Sequence, residues 1–211
     1  MFGNKNIIVG SVFLTFGLLG DHIYGAESAV FVDVSDASEK ISQEEDLWDY
    51  IENAEGLDGV VGIAKRIRSG ADFTSKREGG KTLLYRSCCP EVFATLLCLP
   101  GIDVNDQDDE GNTILHYMIL CFIDCLNSSC IGFQEEIEML LACGANPCLK
   151  NTDGKVACQF LEEWRDEERG LPIKDKSADS ETLLEGCEKA IQILRTAEAK
   201  WTETHAQQAV E

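Results

Sequence analysis

One short phrase occurs three times in this chain of 211 residues. It reads SGADF at 69–73, PGIDV at 100–104 and CGANP at 143–147. Each copy follows an apolar stretch with helical spacing, and the first glycines of successive copies lie 31 and then 43 residues apart. Internal repeats with a period of this size are typical of solenoids, in which each unit packs only against its neighbours.

A second segment follows each phrase. Its copies read GKTLLY at 80–85, GNTILH at 111–116 and GKVACQ at 154–159. Each copy begins with glycine and continues into residues that favour a helix. Together the two segments predict a helix, a turn and another helix in every unit, so the expected fold class is all-α.

These residues resemble the ankyrin-repeat family, whose unit of roughly 33 residues reads D-x-x-G-x-T-P-L-H, helix, loop and a second helix ending L-L-x-x-G-A-D. The most complete copy is 108–146. Its matches to the family are Asp108, Gly111, Thr113, Leu115, His116, Leu140, Leu141, Gly144 and Ala145. Ile114 stands where the family has proline.

The flanking copies are less complete. Residues 77–105 keep Gly80 and Thr82 but carry Tyr85 in place of histidine, and residues 151–198 keep Gly154. The resemblance implies an ankyrin-type helix-turn-helix solenoid with short hairpin turns over residues 47–205. Its expected units are 47–76, 77–107, 108–150 and 151–200, with insertions near 122–133 and 166–179.

The two ends of this domain are predicted from helical spacing. Glu44–Ala54 and Leu57–Arg68 each place apolar residues on one face, which predicts a pair of short antiparallel helices. Near the C-terminus a long helix aligns one apolar face: Leu183, Cys187, Ala190, Ile191, Leu194 and Trp201. A terminal repeat has no neighbour on one side, so we interpret this helix as the C-terminal cap.

The N-terminus resembles a targeting segment. Lys5 precedes the apolar run Ile7–Leu19, and Gly25–Ala26 supplies small residues for cleavage. The run is shorter than the roughly 20 apolar residues that span a bilayer. We expect a cleaved signal peptide over 1–25, a flexible acidic leader over 26–46, and a secreted or periplasmic protein without a membrane segment in its mature form.

Export would determine whether the cysteines form disulfides. All ten follow the apolar run, and in an oxidising compartment several are expected to form disulfides whose connectivity the sequence leaves open. The alternative is a metal site in the Cys121–Cys148 region. The absence of a CxxC pair and of a histidine at finger-like spacing disfavours that site.

The net charge of −20 disfavours binding to nucleic acid or to an anionic membrane, because both require a positive surface. The acidity is compatible with simple solubility or with a basic partner.

Two features suggest chemistry and are better explained by structure. EGGKT at 78–82 lacks the glycine that a phosphate-binding loop needs at position 75. Cys88–Cys89 with His116 could be a thiol and its base, but nothing in the sequence supplies an orienting group or an oxyanion site. We therefore expect no catalytic residues and no cofactor.

The resemblance implies roles for the repeat-motif residues instead. Thr113 is expected to cap a helix, and the His116 side chain is expected to bond the neighbouring turn. The other residues in this structural set are Gly80, Thr82, Gly111, Leu115, Gly144 and Gly154.

By the same resemblance, the chain is expected to be a non-enzymatic module that binds a protein through hairpin tips and a concave helix face. The implied contact residues are Glu78, Gly79, Lys81, Asp109, Glu110, Asn112, Thr152, Asp153 and Lys155. The middle group is strongly acidic, which favours a partner with a basic patch. The alternatives are a disulfide-stabilised structural component of an exported assembly and a metal-binding protein.

Overall fold

The computed structural model describes residues 5–9, 12–16, 31–32, 46–87, 89–124, 133–171 and 180–208. From residue 46 onward the regular elements of this described part are all helices, which confirms the predicted all-α class. The chain divides into two compact units, Met1–Asp103 and Val104–Glu211. No described helix is long and apolar enough to cross a membrane.

Three short strands lie in the N-terminal segment. Strand β1 (Lys5–Val9) pairs antiparallel with β2 (Val12–Phe16) and parallel with β3 (Phe31–Val32). The apolar run that resembles an export signal therefore supplies β1 and β2, and its role in export stays a prediction. Most of the expected acidic leader, 26–46, lies outside the described residues.

The predicted helix pair of the first unit is confirmed. Helix α1 (Leu47–Glu52) begins at Asp46, whose carboxylate accepts a hydrogen bond from the Trp48 N–H at 3.4 Å. Helix α2 is Gly56–Arg68, and α3 is Pro90–Leu97. All three helices contribute apolar side chains to one core: Leu47, Ile51, Val60, Ile63, Val92 and Leu96 are buried.

The helix predicted to open at 80–85 is found only in part, because the chain forms short 3₁₀ helices there and no α-helix. This stretch contains the end of one 3₁₀ helix, Glu78–Gly80, and most of another, Leu83–Arg86. Pro90 occupies the first turn of α3 and disfavours a helical conformation for the residue before it, and Cys89 is extended (φ −104°, ψ 126°). An α-helix starting near residue 83 therefore has no room to continue.

The second unit contains four helices among its described residues: α4 (Ile114–Asp124), α5 (Phe133–Ala142), α6 (Ala157–Gly170) and α7 (Ser180–Gln208). Helix α6 packs between α4 and α7, and α5 also contacts α7. Residues 125–132 and 172–179, which make up most of the two expected insertions, lie outside the described residues.

Two features of this unit match the sequence-based expectation. Gly144 ends α5 with φ 89°, and the Ala145 N–H donates back to the Leu140 carbonyl at 3.0 Å, which is a glycine helix stop. Helix α7 buries the face predicted for it, including Cys187, Ala190 and Leu194.

The expected disulfides do not occur among the described cysteines. Seven described cysteines form no disulfide: Cys89, Cys98, Cys121, Cys143, Cys148, Cys158 and Cys187. Cys88, Cys125 and Cys130 lie outside the described residues. Burial raises the pKa of both Cys158 and Cys187 to about 12, so these two behave as small apolar side chains.

Candidate functional site

Three hairpin turns share one backbone hydrogen-bond pattern. We call them the first (77–81), second (108–112) and third (151–155) hairpins. In each, the N–H of the first residue donates to the carbonyl of the fifth, over 3.0, 2.9 and 3.0 Å. The N–H of the fourth residue donates to the carbonyl of the first over 2.9 Å in all three. The repeat seen in the sequence is therefore also a repeat in backbone geometry.

The fourth residue of each hairpin is glycine: Gly80, Gly111 and Gly154. Their φ angles are 71°, 75° and 76°, a left-handed conformation that glycine adopts without a steric penalty. This conformation accounts for the glycines that open the second repeated segment.

The first residue of the second and third hairpins closes the turn with its side chain. Asp108 Oδ1 accepts from the N–H groups of Glu110 and Asn112 at 3.0 and 2.8 Å. Asn151 Oδ1 accepts from the corresponding Asp153 and Lys155 N–H groups at 3.1 and 3.0 Å. The first hairpin begins with Arg77, which has no acceptor atom in its side chain and cannot form this closure.

The second and third hairpins are bonded to each other. The Glu110 carbonyl accepts from both the N–H and the hydroxyl of Thr152, at 3.0 and 2.7 Å. The Asn151 side-chain amide donates to Asn112 Oδ1 at 3.1 Å. Gln107 adds a bond from its amide to the Lys150 carbonyl at 2.9 Å. Their tips therefore form one continuous surface within the second unit.

His116 joins the second hairpin, helix α4 and the third hairpin. Its Nδ1 accepts from the Thr113 N–H at 3.2 Å and lies 2.9 Å from the Thr113 hydroxyl. A main-chain N–H can only donate, so Nδ1 is unprotonated and Nε2 carries the hydrogen. Nε2 then donates to the Lys155 carbonyl at 3.2 Å.

The surroundings keep this imidazole neutral. His116 is 1% exposed, and burial lowers its pKa against the opposing effects of the Lys155 carbonyl and the Asp108 charge. With both ring nitrogens bonded inside the fold, His116 has no free nitrogen with which to act as a base or a metal ligand. The structure thus gives it the linking position that the sequence predicted.

Gln159 occupies the same position after the third hairpin, and the sequence interpretation missed it. Its side-chain carbonyl accepts from the Val156 N–H at 2.9 Å, as His116 Nδ1 does from Thr113. The sequence spacing could have identified Gln159, because it follows His116 by 43 residues, the same distance that separates Gly111 from Gly154. In the first unit the corresponding residue is Tyr85, which is buried.

The contact residues implied by the resemblance fall into three groups. Exposed residues at the tips are Glu78, Asp109, Glu110, Thr152 and Asp153. Half-buried residues are Gly79, Lys81 and Lys155, the last with its ammonium 2.6 Å from a Glu163 oxygen. Asn112 is 5% exposed, and its side chain bonds Glu110 and Asn151, so it serves the hairpins rather than a partner.

The remaining repeat-motif residues lie inside the fold. Thr82, Thr113 and Leu115 are buried, each next to the start of the helix that follows its hairpin. For the alternative metal site, no group of three potential ligands occurs among the described residues. Cys125 and Cys130, which that alternative would use, are outside them.

No protein-family model matches this chain, and no curated protein matches it.

Proposed function

We propose that residues 47–205 form an ankyrin-type solenoid that acts as a non-enzymatic protein-binding module, with residues 1–25 directing its export. The partner contacts the hairpin tips, chiefly those of the second and third hairpins. Residues 47–76, 77–107, 108–150 and 151–200 are its repeat units, and α7 closes its C-terminal end.

One observation carries this proposal: the same turn geometry recurs in three hairpins, and two of them are joined edge to edge by the bonds from Thr152 to the Glu110 carbonyl. Stacked turns of this kind project from a helical scaffold and present backbone and side chains to solvent. Surfaces built from repeated loops on a rigid scaffold are commonly used to bind other proteins.

The charge of the tips defines the class of partner. Asp109, Glu110 and Asp153 are exposed on neighbouring turns, and Lys155 is partly neutralised by Glu163. Clustered exposed carboxylates attract a positive surface and accelerate its association. The proposed partner is therefore a protein with a basic patch.

The test begins with capture of the partner from native medium by the full chain and its identification by mass spectrometry. Affinity for the purified partner is then measured for the double variant Asp109→Lys/Glu110→Lys. We expect it to fall more than about tenfold, and we expect wild-type binding to weaken as salt shortens the screening length.

The matched control is Glu167→Lys/Glu203→Lys, which makes the same change in net charge at exposed helix positions away from the hairpins. Its affinity should stay close to that of the wild type. Equal losses in the two double variants would point to net charge alone, and no loss in the hairpin variant would exclude the tips as the binding surface.

A further inference from the structure

A groove of about 760 Å³ runs between α5 and α7 on the second unit. Its floor is apolar and comes from the end of α5, the turn after it and the C-terminal half of α7: Leu141, Ala145, Pro147, Ile193, Ala197 and Trp201. At one end the Gln134 amide donates to the Gly186 carbonyl at 3.0 Å and ties the two helices together.

Helix α7 has one apolar face, and the unit buries only part of it. Cys187, Ala190 and Leu194 are buried against the rest of the unit. Ile193, Ala197 and Trp201 continue this face at spacings of four residues and are half-exposed along the groove. The apolar face of α7 is therefore longer and wider than the part that packs into the core, and the remainder lines the groove.

The groove differs in charge from the rest of the protein. The chain has 38 acidic and 18 basic residues, yet none of the residues that line the groove is acidic. Its lining contains three basic side chains, Lys189, Lys200 and His205. Lys189 pairs with Glu185 at 2.8 Å, whereas Lys200 has no ion pair among the described residues.

The two rims are unequal. On the α7 rim, Lys200 is exposed, and the His205 ring stacks on Trp201 with the ring centres 4.3 Å apart. On the α5 rim, Glu138 is exposed and lies four residues after Gln134 and three before Leu141. A ligand with carboxylates on the side that faces α7 is therefore favoured over one with the opposite orientation.

We propose that this groove is the docking site for an amphipathic α-helix of a partner protein, which places apolar side chains on the floor and carboxylates beside Lys200 and His205. From Lys189 to His205 the lining covers about 24 Å of helix α7, the length of roughly four helical turns. A groove open along one side accommodates the apolar face of a helix, which uses anchors at i, i+3, i+4 and i+7.

This surface is independent of the hairpin tips and selects the opposite charge. The tips are acidic and take a basic patch, whereas the groove takes an acidic helix. One unit can therefore bind two partners, or two parts of one partner, that differ in charge.

The experiment uses a displayed library of helical peptides about 16 residues long, a length set by the 1.5 Å rise per residue. The library is selected on the full chain. We expect enriched sequences to have apolar residues at i, i+3, i+4 and i+7 and more Asp and Glu than Lys and Arg. Affinity of an enriched peptide is then measured for Ala197→Arg, which fills the floor, and for Lys200→Glu, which reverses the rim charge.

Both variants should lose more than about tenfold in affinity, the size of loss typical of a central contact. Lys150→Glu is the matched control because it makes the same charge change at an exposed position outside the groove, and its affinity should be unchanged. Asp109→Lys/Glu110→Lys should also bind the peptide normally, which separates this proposal from that for the hairpins. Circular dichroism confirms that each variant is folded.

Several results would overturn the proposal. These are enrichment of no peptide, enrichment without an acidic excess, or binding that Ala197→Arg and Lys200→Glu leave intact. Sedimentation of the full chain tests a second copy as the occupant, since a dimer dissociated by Ala197→Arg would replace the partner helix. Dodecanoate binding in place of peptide enrichment would indicate a small anionic amphiphile instead.

Discussion

The second and third hairpins have the same turn but different surroundings. In both, an Asp or Asn side chain closes the turn and a glycine has φ near 75°. In both, a side chain in the first turn of the following helix, His116 or Gln159, accepts a hydrogen bond from the main-chain N–H three residues before it. His116 also has a second nitrogen, which reaches the Lys155 carbonyl at 3.2 Å. The Gln159 side chain bonds the Val156 N–H, which lies just before the same helix.

The glycines show the same contrast. A side-chain carbon added at Gly111 would lie 2.8 Å from the Thr152 nitrogen, whereas one added at Gly154 would meet no described atom within 4 Å. The turn itself is thus a local structure that each segment forms from its own residues. What distinguishes the second hairpin is that the third packs against it.

Alanine substitutions at Gly111 and Gly154 should separate the contribution of the turn conformation from that of the contact between the hairpins. Gly154→Ala should destabilise the fold by about 1–2 kcal/mol, the cost of a left-handed conformation for a residue with a side chain. Gly111→Ala should cost about 3 kcal/mol or more, because the third hairpin must also move. Urea denaturation measures both, and equal losses would show that the contact between the hairpins contributes little.

Substitutions at His116 should have the next largest effect. His116→Ala leaves the Thr113 N–H and the Lys155 carbonyl without their partner and should lower the free energy of unfolding by about 2 kcal/mol. His116→Gln can keep the local bond, as Gln159 does, and should cost about 1 kcal/mol. Partner binding should be lost in either variant only as the fold is lost.

If His116→Gln were as harmful as His116→Ala, the link to the third hairpin would account for the whole effect. If His116→Gln had no effect on stability, the local bond to the Thr113 N–H would account for the whole effect of His116→Ala.

The pH dependence of stability should test whether the buried His116 side chain is neutral in the folded protein. In the unfolded chain a histidine binds its proton near pH 6.5, and in the folded chain burial lowers the pKa of His116. The contribution of His116 is therefore complete above about pH 6.5 and declines as the pH falls toward the folded pKa. The slope should not exceed about 1.4 kcal/mol per pH unit.

The titration of Glu136 changes the free energy of unfolding with pH in the opposite direction. Burial, with a smaller effect of Glu135, raises its pKa to about 7, so its contribution is largest at low pH and is lost as the pH rises toward 7. The measurement is therefore the difference between wild type and His116→Gln at each pH, in which Glu136 cancels. A difference that does not change between pH 8 and pH 5 would contradict a neutral, buried His116.

The smallest effect is expected at Thr152. Thr152→Val removes the hydroxyl that bonds the Glu110 carbonyl but keeps the main-chain N–H on the same acceptor. Because this residue is exposed, water can replace the hydroxyl, and the loss should be about 0.5 kcal/mol or less. Thermal denaturation checks this, and a loss near that of Gly111→Ala would mean that the hydroxyl dominates the contact.

The sequence predicted the elements whose cause is local. The helix pair at the start of the domain, the glycine stop at Gly144 and the buried face of α7 are all found. The bond from His116 to the Lys155 carbonyl spans 39 residues, and only the family resemblance implied it. A full first helix was predicted for the 77–107 unit, but the structure has only a short 3₁₀ helix there. Its repeat motif indicates a helix, whereas the restriction that Pro90 places on Cys89 ends the chance for one.

The candidate sites divide in the same way. The positions of the hairpin tips were implied by the resemblance of the repeated segments to a known family, and each turn is specified by a few consecutive residues. The burial of Asn112, the absence of disulfides among the seven described cysteines and the groove between α5 and α7 could be found only from the tertiary structure. Each of these features depends on contacts between segments 39 or more residues apart in the sequence, or on how two helices pack against each other. The spacing of residues along the chain does not contain that information.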